Sequence, residues 1–191
     1  ARRTSLTLFD VADPAAPRLL ARENVDAGWS WSSASWERKA WTVAWDEGLV
    51  LFPWSGYEST GDDRGHRNAL SIVEIGEGAL TTRGTVEAPA PVERGFLHQG
   101  RVYALSQAAL QVVDVRDRAR PVAGDTVELV RSVTDYVPTA RSGLELIAPG
   151  LSWGWYASDQ RSSLRISPLD APDGNEELAR LALPRAAERL H

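Results

Sequence analysis

A six-residue phrase recurs along the chain and restricts the folds that the chain can adopt. In its clearest copy, residues 110–115, a mostly apolar run ends in an aspartate and one more β-branched residue. Further copies begin at residues 6 and 70, and a weaker one begins at residue 164. A period near two is typical of β-strands with one buried face, and long runs of helical period are absent. The sequence therefore predicts an all-β fold built from repeats.

The turn after the phrase is also repeated. In two copies a second aspartate lies three residues after the first aspartate, and a proline lies seven residues after it. These residues are Asp13 and Pro17 in one copy and Asp117 and Pro121 in the other. The aspartates can accept backbone N–H groups, and the prolines preset φ where the next strand begins. We expect each turn to reverse the chain between two antiparallel strands.

The distance between copies indicates the size of the repeating unit. The copies begin at residues 6, 70, 110 and 164, so the middle interval is 40 residues and the flanking ones are 64 and 54. Four-stranded β-propeller blades run to ~40–45 residues. The longer intervals then contain insertions, which we predict to be loops at residues 55–68 and 150–163.

The predicted architecture is a partial β-propeller of about three and a half four-stranded antiparallel blades. Residues 1–183 form it, with a half blade at 1–27, blades at about 28–88, 89–129 and 130–183, and a tail at 184–191. In the last blade a short helix competes with the fourth strand, and we prefer the strand because the repeat requires one. A closed ring needs at least ~4 blades. We therefore expect the remainder of the same propeller, or a partner chain, to close the ring, and we favour a C-terminal part of a larger propeller because the chain starts in mid-blade without Met.

Three stretches together resemble a known family. They are the repeated phrase, the segment with Ser33-Ala34 followed by Lys39-Ala40-Trp41, and residues 93–106. Over residues 5 to 130 the chain resembles secreted bacterial and archaeal proteins whose C-terminal β-propeller domain is distantly related to WD-repeat proteins. It departs from that pattern after residue 130 and at residues 36–38. The resemblance implies an extracytoplasmic location, secreted, periplasmic or at the cell surface, and it supplies no catalytic residues.

Composition excludes several classes of function. The chain has 21 basic and 26 acidic residues, a net charge of −5 and a pI near 5.3, which argues against nucleic acid or an anionic membrane as the partner. No apolar run approaches the ~20 residues of a membrane span. With no cysteine, the chain has no disulfides and no thiolate metal site.

Tryptophans supply the candidate binding residues. Two Trp-x-Trp pairs, Trp29 with Trp31 and Trp153 with Trp155, lie in Gly- and Ser-rich stretches that we interpret as loops, and Tyr156 adjoins the second pair. Such rings either clamp their loops, which is the simpler explanation, or form a stacking platform for a sugar or an anchor for a protein.

Three other tryptophans are expected to pack between blades, because they fall in predicted strands. They are Trp41, Trp45 and Trp54.

No catalytic or metal constellation is evident in the sequence. Residues 61–66 and 170–177 are acidic, but a solvated loop explains the first and turn residues the second better than a calcium site. We predict no cofactor, no metal and no catalytic residue. The leading hypothesis is a non-catalytic, extracytoplasmic propeller module or scaffold that binds a protein or a glycan. The competing hypothesis is a carbohydrate hydrolase or lyase with carboxylates at the channel mouth.

Overall fold

The computed structural model describes residues 4–25, 28–60, 63–148, 161–170, 174 and 176–190. In these residues fifteen strands form four antiparallel sheets, and the only helices are the short 3-10 segments Ser33–Ser35 and Trp45–Glu47. The strands are β1 (Ser5–Asp10), β2 (Arg18–Asn24), β3 (Trp29–Trp31), β4 (Thr42–Ala44), β5 (Leu49–Thr60), β6 (Asp63–Gly76), β7 (Ala79–Ala88), β8 (Val92–His98), β9 (Arg101–Ser106), β10 (Ala109–Asp114), β11 (Val122–Glu128), β12 (Val133–Pro138), β13 (Ser142–Ile147), β14 (Ser163–Pro168) and β15 (Ala179–Ala182).

The sheets correspond to the predicted half blade and three blades. Their strand orders are β1-β2, then β3-β5-β6-β7 with β4 also paired to β5, then β11-β10-β9-β8, and β12-β13-β14-β15. The chain divides into two compact units, residues 1–129 and 130–191. The all-β partial β-propeller predicted from the repeat is confirmed. None of the described residues forms a helix long and apolar enough to cross a membrane.

The repeated turn has the predicted hydrogen bonds. The Asp13 carboxylate accepts the Ala15 N–H, and the Asp117 carboxylate accepts the Ala119 N–H, both at 3.0 Å. In each copy the backbone carbonyl of the same aspartate accepts a further N–H at 3.1 Å. The two turns are therefore copies in three dimensions as well as in sequence.

The second blade, which contains β3 to β7, departs from the prediction at residues 55–60 and 63–68 and in its first strand. Residues 55–60 and 63–68 do not form the predicted loop, because β5 and β6 continue through them as two long antiparallel strands, with Leu49 opposite Glu74 at one end and Thr60 opposite Asp63 at the other. The repeat places the first strand of this blade at residues 39–44, but only β4 forms there, and β3 pairs with the outer half of β5. Polar residues continue the strands here because backbone pairing needs no apolar side chain, as with Ser55, whose hydroxyl donates to Asn68 Oδ1 at 2.8 Å.

Blades in the first unit pack through apolar faces and small residues. A core cluster joins the second and third sheets: Leu49, Leu51, Leu70, Ile72, Val86, Val92, Val102, Ala104, Val113 and Val115. At Gly95 a Cβ atom would lie 2.7 Å from Leu70 Cδ1, so a larger residue at this position would have to displace the buried Leu70 side chain. The Thr42 hydroxyl donates to the Gly95 carbonyl at 2.6 Å and joins the inner strands.

The second unit contains a four-stranded sheet pinned by a buried ion pair. Arg165 is fully buried, pairs with the Glu145 carboxylate and donates to the Gly174 carbonyl at 2.7 Å. The predicted fourth strand is confirmed over the helix alternative, because β15 pairs with β14 from Ile166 to Ser163. Most of the insertion predicted at 150–163 lies outside the described residues.

Candidate functional site

Four aromatic rings gather on one face of the long hairpin. In the strand register Trp29 lies opposite Tyr57, and Tyr57 lies opposite His66, so three adjacent strands each contribute a ring. Trp31, two residues along β3, points to the same side, since side chains alternate along a strand. We call these four residues the aromatic face.

The rings of the aromatic face contact each other directly. Trp29 stacks on Tyr57 with 5.7 Å between centroids and an interplanar angle of 30°. The Trp29 and Trp31 rings are 5.1 Å apart, and His66 lies 5.5 Å from Trp31 and 5.3 Å from Tyr57. Trp29 remains about half exposed. The arrangement is a continuous aromatic surface that is open to solvent at Trp29.

Small residues on the opposite side of the hairpin hold β3 against β5. Ser30 is buried, and its hydroxyl donates to Thr4 Oγ1 at 2.7 Å. A Cβ atom at Gly56 would lie 2.7 Å from the Trp29 carbonyl oxygen and 3.0 Å from Ser30 Cβ. Only glycine allows this close pairing, which positions both tryptophans.

His66 is the titratable member of the aromatic face. Burial lowers the pKa of its imidazole, because the surrounding rings replace water around the charged form. Its Nε2 atom is buried and has no hydrogen-bond partner among the described residues. The side chain therefore favours the neutral form and retains an unused polar atom beside Trp31.

A cavity of about 560 Å³ adjoins the aromatic face and shares Trp31 with it. Its wall also contains four charged side chains and two further tryptophans. The lining residues are Trp31, Ser33, Trp36, Glu37, Lys39, Trp54, Ser55, Pro91, Val92, Glu93, Arg94, Leu105 and Gln107. We call this space the charged cavity.

The charged side chains of the cavity balance each other in sign. Glu37 and Glu93 are acidic, and Lys39 and Arg94 are basic. The Glu37 carboxylate accepts the Lys39 backbone N–H at 2.8 Å, which orders the rim beside the exposed ring of Trp36. The cavity thus combines aromatic surface with donors and acceptors of both signs.

The structure changes the setting of two predicted binding residues. Trp29 and Trp31 were expected in a loop but form β3, because the outer half of β5 offers a strand edge to pair with. Trp153, Trp155 and Tyr156 lie outside the described residues.

The expectation for strand tryptophans holds only for Trp54, which is buried in β5 and donates to the Ser71 hydroxyl at 2.8 Å. It is wrong for Trp41, which precedes β4, and for Trp45, which lies in a 3-10 helix. Both are exposed, because the inner strand is shorter than the repeat predicts.

Sequence reasoning missed Tyr57, His66 and Trp36. The first two fall in the predicted loop at residues 55–68. The signal that could have revealed the strand is Tyr57 itself, which continues the alternation of side chains along β5. Of the acidic stretch at 61–66, Asp63 and Gly65 belong to β6, while residues 61 and 62 are not described. The described residues contain no group of three or more potential metal ligands.

A scan of protein families decides the classification. The family model described as "Beta propeller domain" matches residues 2–118, more than half of the chain. The chain belongs to the β-propeller domain family. No curated protein and no solved structure matches it. The matched part of this propeller includes the half blade, the long hairpin with its aromatic face, and the charged cavity.

Proposed function

We propose that this propeller is a non-catalytic, extracytoplasmic binding module and that its ligand is a glycan held by the aromatic face and the charged cavity. The observation that carries the proposal is the continuity of the two: Trp31 belongs to both, so an aromatic platform leads into a space lined by hydrogen-bonding groups. A sugar presents C–H groups on its faces and hydroxyls on its edges. It therefore fits a ring surface bordered by polar side chains.

The charge of the cavity favours a neutral ligand. Two carboxylates and two basic side chains line the wall, so neither a polyanion nor a polycation gains a net attraction. The polar groups instead offer both acceptors and donors, which suits sugar hydroxyls because each can donate and accept.

Size favours a glycan over a protein partner. A stable protein interface buries about 800 Å² on each partner around a packed apolar centre. Here the half-exposed Trp29 is followed by a concave wall that carries four charged side chains. Such a wall suits a small polar ligand better than a flat, desolvated protein contact.

A glycan screen on the full chain tests the proposal. Tryptophan fluorescence would report binding of neutral oligosaccharides, and hits would be quantified with Trp29→Ala. Since an aromatic anchor contributes at least ~1.4 kcal/mol when it carries binding, we expect at least ~10-fold weaker affinity. Trp45→Ala is the matched control, because Trp45 is exposed outside both the aromatic face and the charged cavity. Capture of a protein but of no glycan, or equal losses in both variants, would contradict the proposal.

A second candidate is the glycoside hydrolase or lyase, because Glu37 and Glu93 line the same cavity beside Trp36. Paired carboxylates can act as acid and base, or as acid and nucleophile, on a glycosidic bond. To separate the enzyme from the binding module, the chain is incubated with oligosaccharides that it binds. The products are then analysed for new reducing ends or unsaturated sugars. If oligosaccharide is cleaved, and each of Glu37→Gln and Glu93→Gln abolishes the cleavage, the result supports the enzyme. If the oligosaccharide stays intact, the result supports the binding module.

Location and ring closure complete the proposal. Extracytoplasmic placement is supported by the resemblance to secreted propeller proteins, and cell fractionation tests it. Closure of the ring by further blades, from the same propeller or from a partner chain, is supported by the half blade β1-β2. Sedimentation of the isolated chain tests closure, since a compact stable monomer would argue against it.

A further inference from the structure

The first strand of the third blade, β8, contains a β-bulge beside the charged cavity. Val92 lies opposite Ser106, but Arg94 lies opposite Leu105, so two steps along β8 match one step along β9. Glu93 is the extra residue. A bulge of this kind bends its strand and redirects side chains, and bulges are frequent beside active sites.

The bulge directs two charged side chains into the same cavity. In a regular strand, consecutive side chains point to opposite faces. Glu93 and Arg94 instead both line the charged cavity, and both are exposed between the buried Val92 and Gly95. Neither side chain forms a hydrogen bond or an ion pair within the part of the chain that the structure describes. The cavity therefore presents a carboxylate and a guanidinium that are both available to a ligand.

The last blade, which contains β12 to β15, has the same bulge, but there the protein uses its polar groups. In β12 the bulge again follows the first residue of the strand, between Val133 and Asp135. The Thr134 hydroxyl donates to the Leu146 carbonyl at 3.2 Å, and the Asp135 carboxylate accepts the Leu190 N–H at 2.8 Å. The repeat thus accounts for the bulge. It does not account for the two charged side chains of β8, to which none of the described contacts gives a structural role.

We propose that Glu93 and Arg94 together bind two hydroxyls on adjacent carbons of one sugar ring, so that the ligand of the charged cavity is a neutral glycan with a free vicinal diol. The proposal rests on the proposed function and names its ligand class. A carboxylate only accepts hydrogen bonds and a guanidinium only donates them, whereas a sugar hydroxyl does both. Each hydroxyl of the diol can donate to the Glu93 carboxylate and accept from the Arg94 guanidinium, whose planar fork holds N–H groups side by side.

The pairing of opposite charges disfavours a charged group in the place of the diol. A carboxylate or a phosphate of the ligand is attracted by Arg94 but repelled by Glu93, and for an amine the two effects are reversed. A neutral diol makes favourable hydrogen bonds with both side chains. Trp31 lines the same cavity and offers its ring to the apolar face of the sugar.

Chemically modified oligosaccharides test the diol. The probes are cellohexaose, mannohexaose and maltohexaose, each unmodified, O-methylated at its vicinal diols, or O-methylated at its primary hydroxyls only. Binding to the full chain is measured by tryptophan fluorescence. Because hydrogen bonds to charged groups are the stronger ones, methylation of the diols should weaken binding at least ~10-fold, while methylation of the primary hydroxyls should change it by less than ~3-fold.

Two conservative variants test the side chains. Glu93→Gln keeps the size of the side chain but replaces its charge, and Arg94→Lys keeps the charge but loses the planar fork. We expect each variant to bind the unmodified probe at least ~10-fold more weakly, with an unchanged melting temperature because neither side chain has a described contact. Glu77→Gln is the matched control, since Glu77 is exposed in the turn between β6 and β7 and does not line the charged cavity.

The outcomes separate this proposal from the proposed function. If a probe binds equally well with free and with methylated diols, or if Glu93→Gln and Glu77→Gln bind it equally well, the diol proposal is wrong while glycan binding stands. If none of the oligosaccharides binds to the wild-type chain, both proposals are wrong.

Discussion

Gly84, in β7, is where the repeated turn docks on the neighbouring blade. A Cβ atom there would lie 2.5 Å from Pro121 Cδ and 2.6 Å from the Arg118 carbonyl oxygen. Neither atom can move freely, because one belongs to a proline ring and the other to the turn backbone. Gly84→Ala should therefore push the turn away from β7.

The cost has two parts. Overpacking of a close contact destabilises a protein by about 1–3 kcal/mol. Displacement of the turn also weakens the ion pair of Arg118 with Glu74, whose closest N–O distance is 2.9 Å, and because both side chains are partly exposed this part of the cost is the smaller one. We expect a total near ~2 kcal/mol, which lowers the melting temperature by about 4–8 °C in a chain of this length.

Thermal unfolding followed by circular dichroism measures this effect. Gly76→Ala is the matched control in the same sheet, because the nearest heavy atom to its Cβ would be Ala79 Cβ at an ordinary 3.8 Å. The ion-pair part should shrink at high salt, while the steric part should remain. If Gly84→Ala and Gly76→Ala melt within ~1 °C of each other, the docking argument is wrong.

Three further predictions concern the buried ion pair and the aromatic face. Glu145→Ala leaves the Arg165 guanidinium buried without its carboxylate and should cost about 3–5 kcal/mol in urea unfolding; a loss below ~1 kcal/mol would show that the backbone carbonyls suffice. Burial lowers the pKa of His66, so the unfolded chain takes up its proton first and stability should fall as the pH drops below ~6.5. His66→Gln should reduce the difference in melting temperature between pH 7.5 and 5.5, and an unchanged difference would contradict this explanation. Gly56→Ala should separate β3 from β5 and diminish the near-UV circular dichroism of the stacked Trp29, whereas an unchanged spectrum would refute the close-approach argument.

The repeat made most of the architecture predictable from the sequence. Period-two alternation marks strands, and the Asp and Pro offsets mark the turn, because both signals are local: each depends on backbone geometry within about ten residues. The blade predicted at residues 89–129 accordingly has its four antiparallel strands, and the turn aspartates accept the N–H groups that their spacing indicates. The sequence also favoured β15 over a helix, because each blade of the repeat requires a fourth strand.

The tertiary structure decided the features that depend on pairing between distant residues. Residues 55–68 resemble a loop in composition, yet residues 55–60 and 63–68 continue two strands, because the two strands pair with each other and β3 pairs with the free edge of β5. This strand register alone makes neighbours of Trp29, Tyr57 and His66, and no local sequence pattern predicts it. Exposure is likewise decided by the tertiary structure at Phe9 and Val11. The repeat makes them equivalent to the buried Val113 and Val115, but the fold leaves both exposed. Local signals thus specify strands and turns, whereas the sites depend on which strands meet and which edges remain without a neighbour.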